Sequence, residues 1–103
     1  MDPKVIKSLE KEFLLGEKYL NNAERLCTKL IELIKQQKVV NAENLRRLKE
    51  AESIQAKDEH IEVSVILEKG VLNEIVDNVN KLVQFINSYA GIYQELEGNK
   101  KKK

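Results

Sequence analysis

Apolar residues in the first third of the chain recur every three or four positions without a slip, which is the spacing of one face of an α-helix. The series comprises Ile6, Leu9, Phe13, Gly16, Leu20, Ala23, Cys27, Leu30 and Ile34. Asp2 can cap this helix, and Pro3 suits its first turn because the missing N–H of proline costs nothing there. The pattern predicts a helix over residues 3–38 with a coiled-coil-like seam.

Further apolar residues make this face wider than a two-stranded zipper needs. Tyr19, Leu26 and Leu33 flank the seam on one side, and Ile31 lies on the other. This width favours a helical bundle. Gly16 either lets a neighbouring helix approach closely or is a tolerated helical glycine that costs about 1 kcal/mol relative to alanine.

The middle of the chain predicts a connection and a second helix. Residues 39–43 resemble a short loop in which Asn41 caps the next helix. That helix is expected over residues 42–69, because Lys69 followed by Gly70 is typical of a helix end.

The last third predicts a third helix over residues 73–97. Its seam comprises Leu72, Ile75, Val79, Leu82, Ile86, Tyr89, Tyr93 and Leu96. An alternative is one helix from about residue 60 to residue 97 with Gly70 inside it. The preferred fold is an all-α antiparallel three-helix bundle of one domain, residues 1–97, followed by a flexible lysine-rich tail, residues 98–103.

The stretch HIEVSVIL, residues 60–67, fits neither pattern cleanly. As a helix it would be apolar around its whole circumference and would need burial on every side. As a strand it would line one face with β-branched residues, but the chain offers no second strand to pair with. Under either interpretation some apolar surface stays open, so we predict that this stretch contacts another chain. The predicted contact residues are Ile61, Val63, Val65, Ile66 and Leu67.

Composition narrows the class of protein. The 103 residues carry a formal net charge of +1, with 42% hydrophobic and 34% charged residues, which is typical of a helical bundle or coiled coil rather than a disordered chain. The single cysteine, Cys27, allows no internal disulfide. The N-terminus lacks the apolar run of a signal peptide, and no segment has the length of a membrane span. An intracellular, cytoplasmic protein is expected.

Candidate chemistry is sparse. His60 is the one histidine, and neighbouring carboxylates make a metal site conceivable, but the sequence has no Glu-x-x-His or Cys-x-x-Cys pair to support it. A phosphotransfer role is also conceivable, but the bulky residues after His60 argue against it. Cys27 lies in the predicted seam and is expected to be a small core residue. The four glycines are isolated, so no phosphate-binding loop is present. We therefore expect no enzymatic activity, no cofactor and no metal.

The pattern indicates a class of function rather than an activity. We expect a protein–protein interaction module, an adaptor or a subunit of a larger assembly or homo-oligomer, that binds through apolar helix faces. A rival interpretation is a nucleic-acid-associated helical protein, and a second is a phosphotransfer or metal-binding bundle centred on His60. The polyanion contacts of the first rival would be Arg46, Arg47, Lys49, Lys100, Lys101, Lys102 and Lys103.

Overall fold

Two long helices form an antiparallel hairpin. The structure is a computed structural model that describes residues 2–55 and 63–101. Helix α1 comprises Pro3–Gln55 and helix α2 comprises Gly70–Lys101. Residues 63–69, before α2, have neither helical nor strand structure. The molecule measures 82 × 23 × 16 Å, so it is a rod rather than a globule.

The all-α prediction is confirmed for the described residues, which contain no strand, but the three-helix bundle over 3–38, 42–69 and 73–97 is wrong. α1 passes through residues 39–43 without interruption. The sequence has neither glycine nor proline between Gly16 and Gly70, and two adjacent valines cost a helix only tenths of a kcal/mol each. Nothing local therefore stops α1 where the connection was predicted.

Gly70 begins a helix instead of ending one. The Asn73 N–H donates to the Lys69 carbonyl at 2.8 Å, which is the first i to i−4 bond of α2. No glycine among the described residues has a positive φ, so Gly70 does not adopt the left-handed conformation that ends many helices. The predicted start of α1 is confirmed, because the Lys4 N–H donates to Asp2 Oδ1 at 2.9 Å.

The two helices pack along one heptad seam. Buried or half-buried residues recur with spacings of three and four on each helix. On α1 they are Leu9, Glu12, Gly16, Tyr19, Ala23, Leu26, Leu30 and Leu33, and on α2 they are Val71, Ile75, Asn78, Leu82, Phe85, Tyr89, Ile92 and Leu96. Three contacts fix the antiparallel register: Phe13 with Tyr93, Gly16 with Tyr89 and Tyr19 with Phe85.

Half of each predicted seam is confirmed and half is wrong. Leu9, Gly16, Ala23 and Leu30 lie in the seam, as do their counterparts on α2. The alternate positions, such as Leu20 on α1, are exposed. The row one residue earlier, which includes Tyr19, packs against α2 in their place.

Candidate protein-interaction face

The alternate positions of the two predicted seams, which do not pack between the helices, form an apolar surface along one edge of the hairpin. We call it the apolar face, and its residues are Ile6, Phe13, Leu20, Cys27, Ile34, Leu72, Val79, Ile86 and Tyr93. Successive members on each helix are seven residues apart, so each row runs straight along its helix. Every member is exposed.

Aromatic contacts join the two rows. The rings of Phe13 and Tyr93 have centroids 6.5 Å apart at an interplanar angle of 63°, an edge-to-face arrangement. Each ring nevertheless keeps about half of its surface exposed, 50% for Phe13 and 47% for Tyr93. Because both rows advance by seven residues, the same register places Leu20 across from Ile86. The face is therefore shared by both helices from end to end of their overlap.

Tyr93 is held in place by a second tyrosine. The Tyr89 hydroxyl donates to the Tyr93 hydroxyl at 3.0 Å, and their rings meet edge to face with centroids 5.2 Å apart. This hydrogen bond favours the protonated phenol and raises the pKa of Tyr89. The aromatic end of the face is thus positioned by a residue of the seam.

Additional apolar residues widen the face on its outer side, namely Ile31, Val76 and Val83, which are all exposed. The opposite edge of the hairpin has a different character. Apart from Leu15, the corresponding rows there are polar, and they comprise Asn22, Lys29, Gln36, Glu74, Lys81, Ser88 and Glu95. One edge of the rod is therefore apolar and the other polar.

Residues 63–69 lie along the second half of α1. The Asn44 side chain binds the backbone of Ile66 twice, because its amide nitrogen donates to the Ile66 carbonyl at 3.0 Å and its oxygen accepts from the Ile66 N–H at 2.7 Å. The Arg47 guanidinium donates to the Ser64 carbonyl at 2.9 Å. Side chains of α1 thus provide the backbone partners that a neighbouring strand would otherwise provide.

The described part of the HIEVSVIL stretch is neither helix nor strand. Val63, Val65 and Leu67 are exposed, Leu67 by 77%, and Ile66 is half-buried. Ile61 lies outside the described residues. That this stretch contacts another chain stays a prediction.

The predicted polyanion residues are not brought together. Arg46 contacts Glu43 at 2.6 Å and Glu50 at 2.9 Å, and Arg47 contacts Glu43 at 3.1 Å. These two guanidiniums lower the pKa of Glu43 to about 2. Lys49 is exposed nearby.

The backbone of Lys100 and Lys101, the described part of the lysine tail, lies at the opposite end of the rod. α2 ends beside the first turns of α1, about 60 Å along α1 from Arg46. Helix α2 continues to Lys101, so residues 98–101 are helical in backbone. Lys102 and Lys103 lie outside the described residues. One short anionic ligand could not contact both groups on the same molecule.

Within 2–55 and 63–101, no group of three or more histidine, cysteine or carboxylate side chains could hold a metal ion. Cys27 is exposed rather than a core residue, and His60 lies outside the described residues. Neither α1 nor α2 combines the length and the apolar character that crossing a bilayer requires.

Comparison with other proteins identifies no family: no protein-family model, curated protein or solved structure matches the chain.

The sequence analysis named every residue of the apolar face but placed these residues in the predicted seams between helices. The signal that could have separated them was the neighbouring row of Tyr19, Leu26 and Leu33, which has the same period of seven.

Proposed function

We propose that this protein is a non-enzymatic helical protein–protein interaction module, an adaptor or a subunit of a larger assembly, that binds through the apolar face. The observation that carries the proposal is the exposed Phe13–Tyr93 pair at the head of two apolar rows. Contiguous apolar patches of this extent on soluble proteins mark sites of interaction.

The thin interior of the hairpin supports the same proposal. Among the described residues, the buried hydrophobic side chains are Ala23, Leu30, Leu33 and Ile92, and each keeps a small part of its surface exposed. Each large aliphatic side chain that becomes fully buried contributes about 1.5 to 3 kcal/mol. The face holds more large apolar side chains than the buried interior does, so covering it would contribute substantially to the stability of the fold.

Nucleic-acid contact draws less support from the geometry. Arg46 and Arg47 are engaged with carboxylates of their own helix, and a phosphate would have to compete with Glu43 for both. The phosphotransfer alternative rests on His60, which lies outside the described residues.

Photo-crosslinking from the apolar face tests the proposal. A benzoylphenylalanine in place of Ile86, in the cell that expresses the protein, is expected to capture a specific protein. The matched control places the same group at Ser88, two residues later on the polar edge, where no capture is expected. If residue 86 captures no protein at all, a second copy of this chain included, the proposed function is wrong.

A further inference from the structure

We propose that the occupant of the apolar face is a second copy of this chain, packed antiparallel to the first, so that two hairpins form a four-helix bundle. This inference rests on the proposed function and names its partner. In this dimer α1 lies on α1 of the second copy, and α2 lies on α2 of the second copy.

The two rows of the apolar face have midpoints that lie opposite one another. On α1 the midpoint of Phe13 and Ile34 is also the midpoint of Leu20 and Cys27, and it falls between residues 23 and 24. On α2 the midpoint of the row from Leu72 to Tyr93 falls between residues 82 and 83. The hairpin register sets these two midpoints opposite one another, because Phe13 contacts Tyr93. A two-fold axis through both midpoints superposes every residue of the face except Ile6 on another residue of the face, as an isologous interface requires.

Side-chain size follows the same symmetry. The axis places the aromatic end of one copy, Phe13 and Tyr93, against the aliphatic end of the other, Ile34 and Leu72. It sets Cys27 against Leu20 of the second copy in the middle. Large rings therefore meet smaller side chains at both ends, which avoids a clash between four aromatic rings at one end.

Charges beside the face favour the antiparallel arrangement. The outer row beside the face on α1 carries Glu10, Glu17 and Glu24 towards the N-terminus, and Lys38 further along. Antiparallel packing brings Glu10 of one copy next to Lys38 of the other and Glu17 next to Ile31, and it sets only Glu24 beside its own equivalent. Parallel packing would set each glutamate beside its own equivalent, and like charges across an interface disfavour the complex.

On α2, the row beyond Val76 and Val83 is uncharged and self-complementary. Amide side chains occupy successive positions of one heptad row, which comprises Asn73, Asn80, Asn87 and Gln94. The same axis pairs Asn80 with Asn87 of the second copy. A primary amide both donates and accepts hydrogen bonds, so a row of amides can pair with its own copy without burying a charge.

The exposed area is of the size that such a dimer removes. The chain exposes 8848 Å², whereas a compact protein of 11.9 kDa exposes about 5,900 Å². Part of the surplus of about 2,900 Å² belongs to the second half of α1, beyond α2. Obligate homodimers bury about 1,000 to 2,500 Å² per chain, so the surplus is large enough for a stable interface.

Disulfide trapping tests the pairing directly. In a Leu20→Cys variant, mild oxidation is expected to join residue 20 of one copy to Cys27 of the other, identified by peptide mapping. Within one chain these residues are two helical turns apart, about 10 Å, which exceeds the reach of a disulfide, about 7 Å between Cα atoms. The unchanged protein is expected to stay unlinked. A Cys27 to Cys27 link in the unchanged protein would indicate parallel packing and overturn the inference, as would a variant that forms no link.

Solution mass provides the second measurement. We expect light scattering to give twice the 11.9 kDa chain mass for the unchanged protein. Lysines at Leu20 and Ile86, in the middle of the face, should abolish the dimer with helical circular dichroism retained. The matched control, Gln36→Lys with Ser88→Lys, adds the same charge on the polar edge and should remain dimeric. If the face variant unfolds, the disulfide formed by the Leu20→Cys variant decides whether the antiparallel dimer exists.

Failure of the inference and failure of the proposed function are distinguishable. An unchanged protein that stays monomeric at every concentration overturns the second copy as occupant. Capture of a different protein from residue 86 would then leave the proposed function standing with another partner. A monomer from which residue 86 captures nothing would remove both.

Discussion

Gly16 of α1 lies directly against the ring of Tyr89 of α2. A Cβ atom at residue 16 would be 3.0 Å from Tyr89 Cε1 and 3.2 Å from Tyr89 Cδ1, with Ile92 Cδ1 at 3.6 Å. The two distances to the Tyr89 ring are shorter than ordinary van der Waals contact, so the absence of a side chain at Gly16 allows the two helices to approach here. The seam position thus favours the close-approach interpretation of this glycine.

Two glycine substitutions should have opposite effects on stability. Gly16→Leu is expected to lower the free energy of unfolding by about 1 to 3 kcal/mol, because the new side chain forces the seam apart. Gly91→Ala, where an added Cβ meets nothing within 4 Å, is expected to raise it by up to about 1 kcal/mol through helix propensity alone. Chemical denaturation measures both. Equal gains at the two sites would show that Tyr89 does not restrict residue 16.

Asn78 is a buried polar residue in a seam of mostly apolar side chains. Its amide nitrogen donates to the Glu74 carbonyl at 2.7 Å, one turn back on α2. Asn78→Leu is expected to raise the free energy of unfolding by about 1 kcal/mol, and with it the thermal midpoint, because it adds apolar burial in the seam. A buried asparagine in such a seam lowers stability but helps to fix the register of the helices.

Gln84→Leu, at an exposed position of the same helix, is the control and should give no such gain. A lower midpoint for Asn78→Leu would mean that the bond to Glu74 outweighs the added burial.

Asn44 holds the segment before α2 against α1 through its two bonds to Ile66. Asn44→Ala removes both, and each is worth about 0.5 to 1.5 kcal/mol. The Ile66 amide should therefore exchange with solvent deuterium about 5- to 150-fold faster, as nuclear magnetic resonance can measure. Asn41→Ala, at an exposed position one turn earlier, should leave this rate unchanged, and equal rates in both variants would contradict the prediction.

The lowered pKa of Glu43 leads us to expect that the stability of the folded state depends on pH in the acid range. Hydrogen bonds from Arg46 and Arg47 lower its pKa from 4.5 to about 2. A pKa that is lower in the folded state stabilises the folded state above pH 4.5, and that contribution disappears as the pH falls from 4.5 to about 2.

Glu43→Gln should therefore remove part of the acid dependence of helicity in this window, as followed by circular dichroism. The effect should be small, because the ion pairs of the half-buried Glu43 lie at the protein surface, where solvent screens them. Glu52→Gln, an exposed carboxylate on the same helix, is the control. An identical acid profile in Glu43→Gln and in the unchanged protein would contradict the assignment.

Much of the helical content could be predicted from sequence, but not its division into elements. The spacing of apolar residues and the Asp2–Pro3 start identified the beginning of α1 correctly, although not its end at Gln55. The predicted break at residues 39–43 relied on Asn41 as a cap, although an asparagine can also sit exposed inside a long helix at small cost. Gly70 misled in a related way, since glycine is compatible both with the end of a helix and with the start of one.

The seam was misplaced for a physical reason. Three rows of α1, represented by Ala23, Leu26 and Cys27, are largely apolar, so two seams fit the same spacing. Glu12 and Asn78 interrupt the row that packs, which made the fully apolar row seem the better core. Packing between the helices determines which row of α1 faces α2, because Tyr19 and Phe85 contact each other across the seam. Periodicity within one helix carries no information about that contact.

The length of the molecule depends on a single element. A 53-residue helix is about 80 Å long, which accounts for nearly all of the 82 Å long dimension. The number of residues in α1 therefore sets the length of the molecule. Deleting seven residues after residue 37, where α2 no longer lies alongside, would shorten the rod by about 10 Å and keep both ends facing the same way. Deleting three or four would instead turn one end relative to the other.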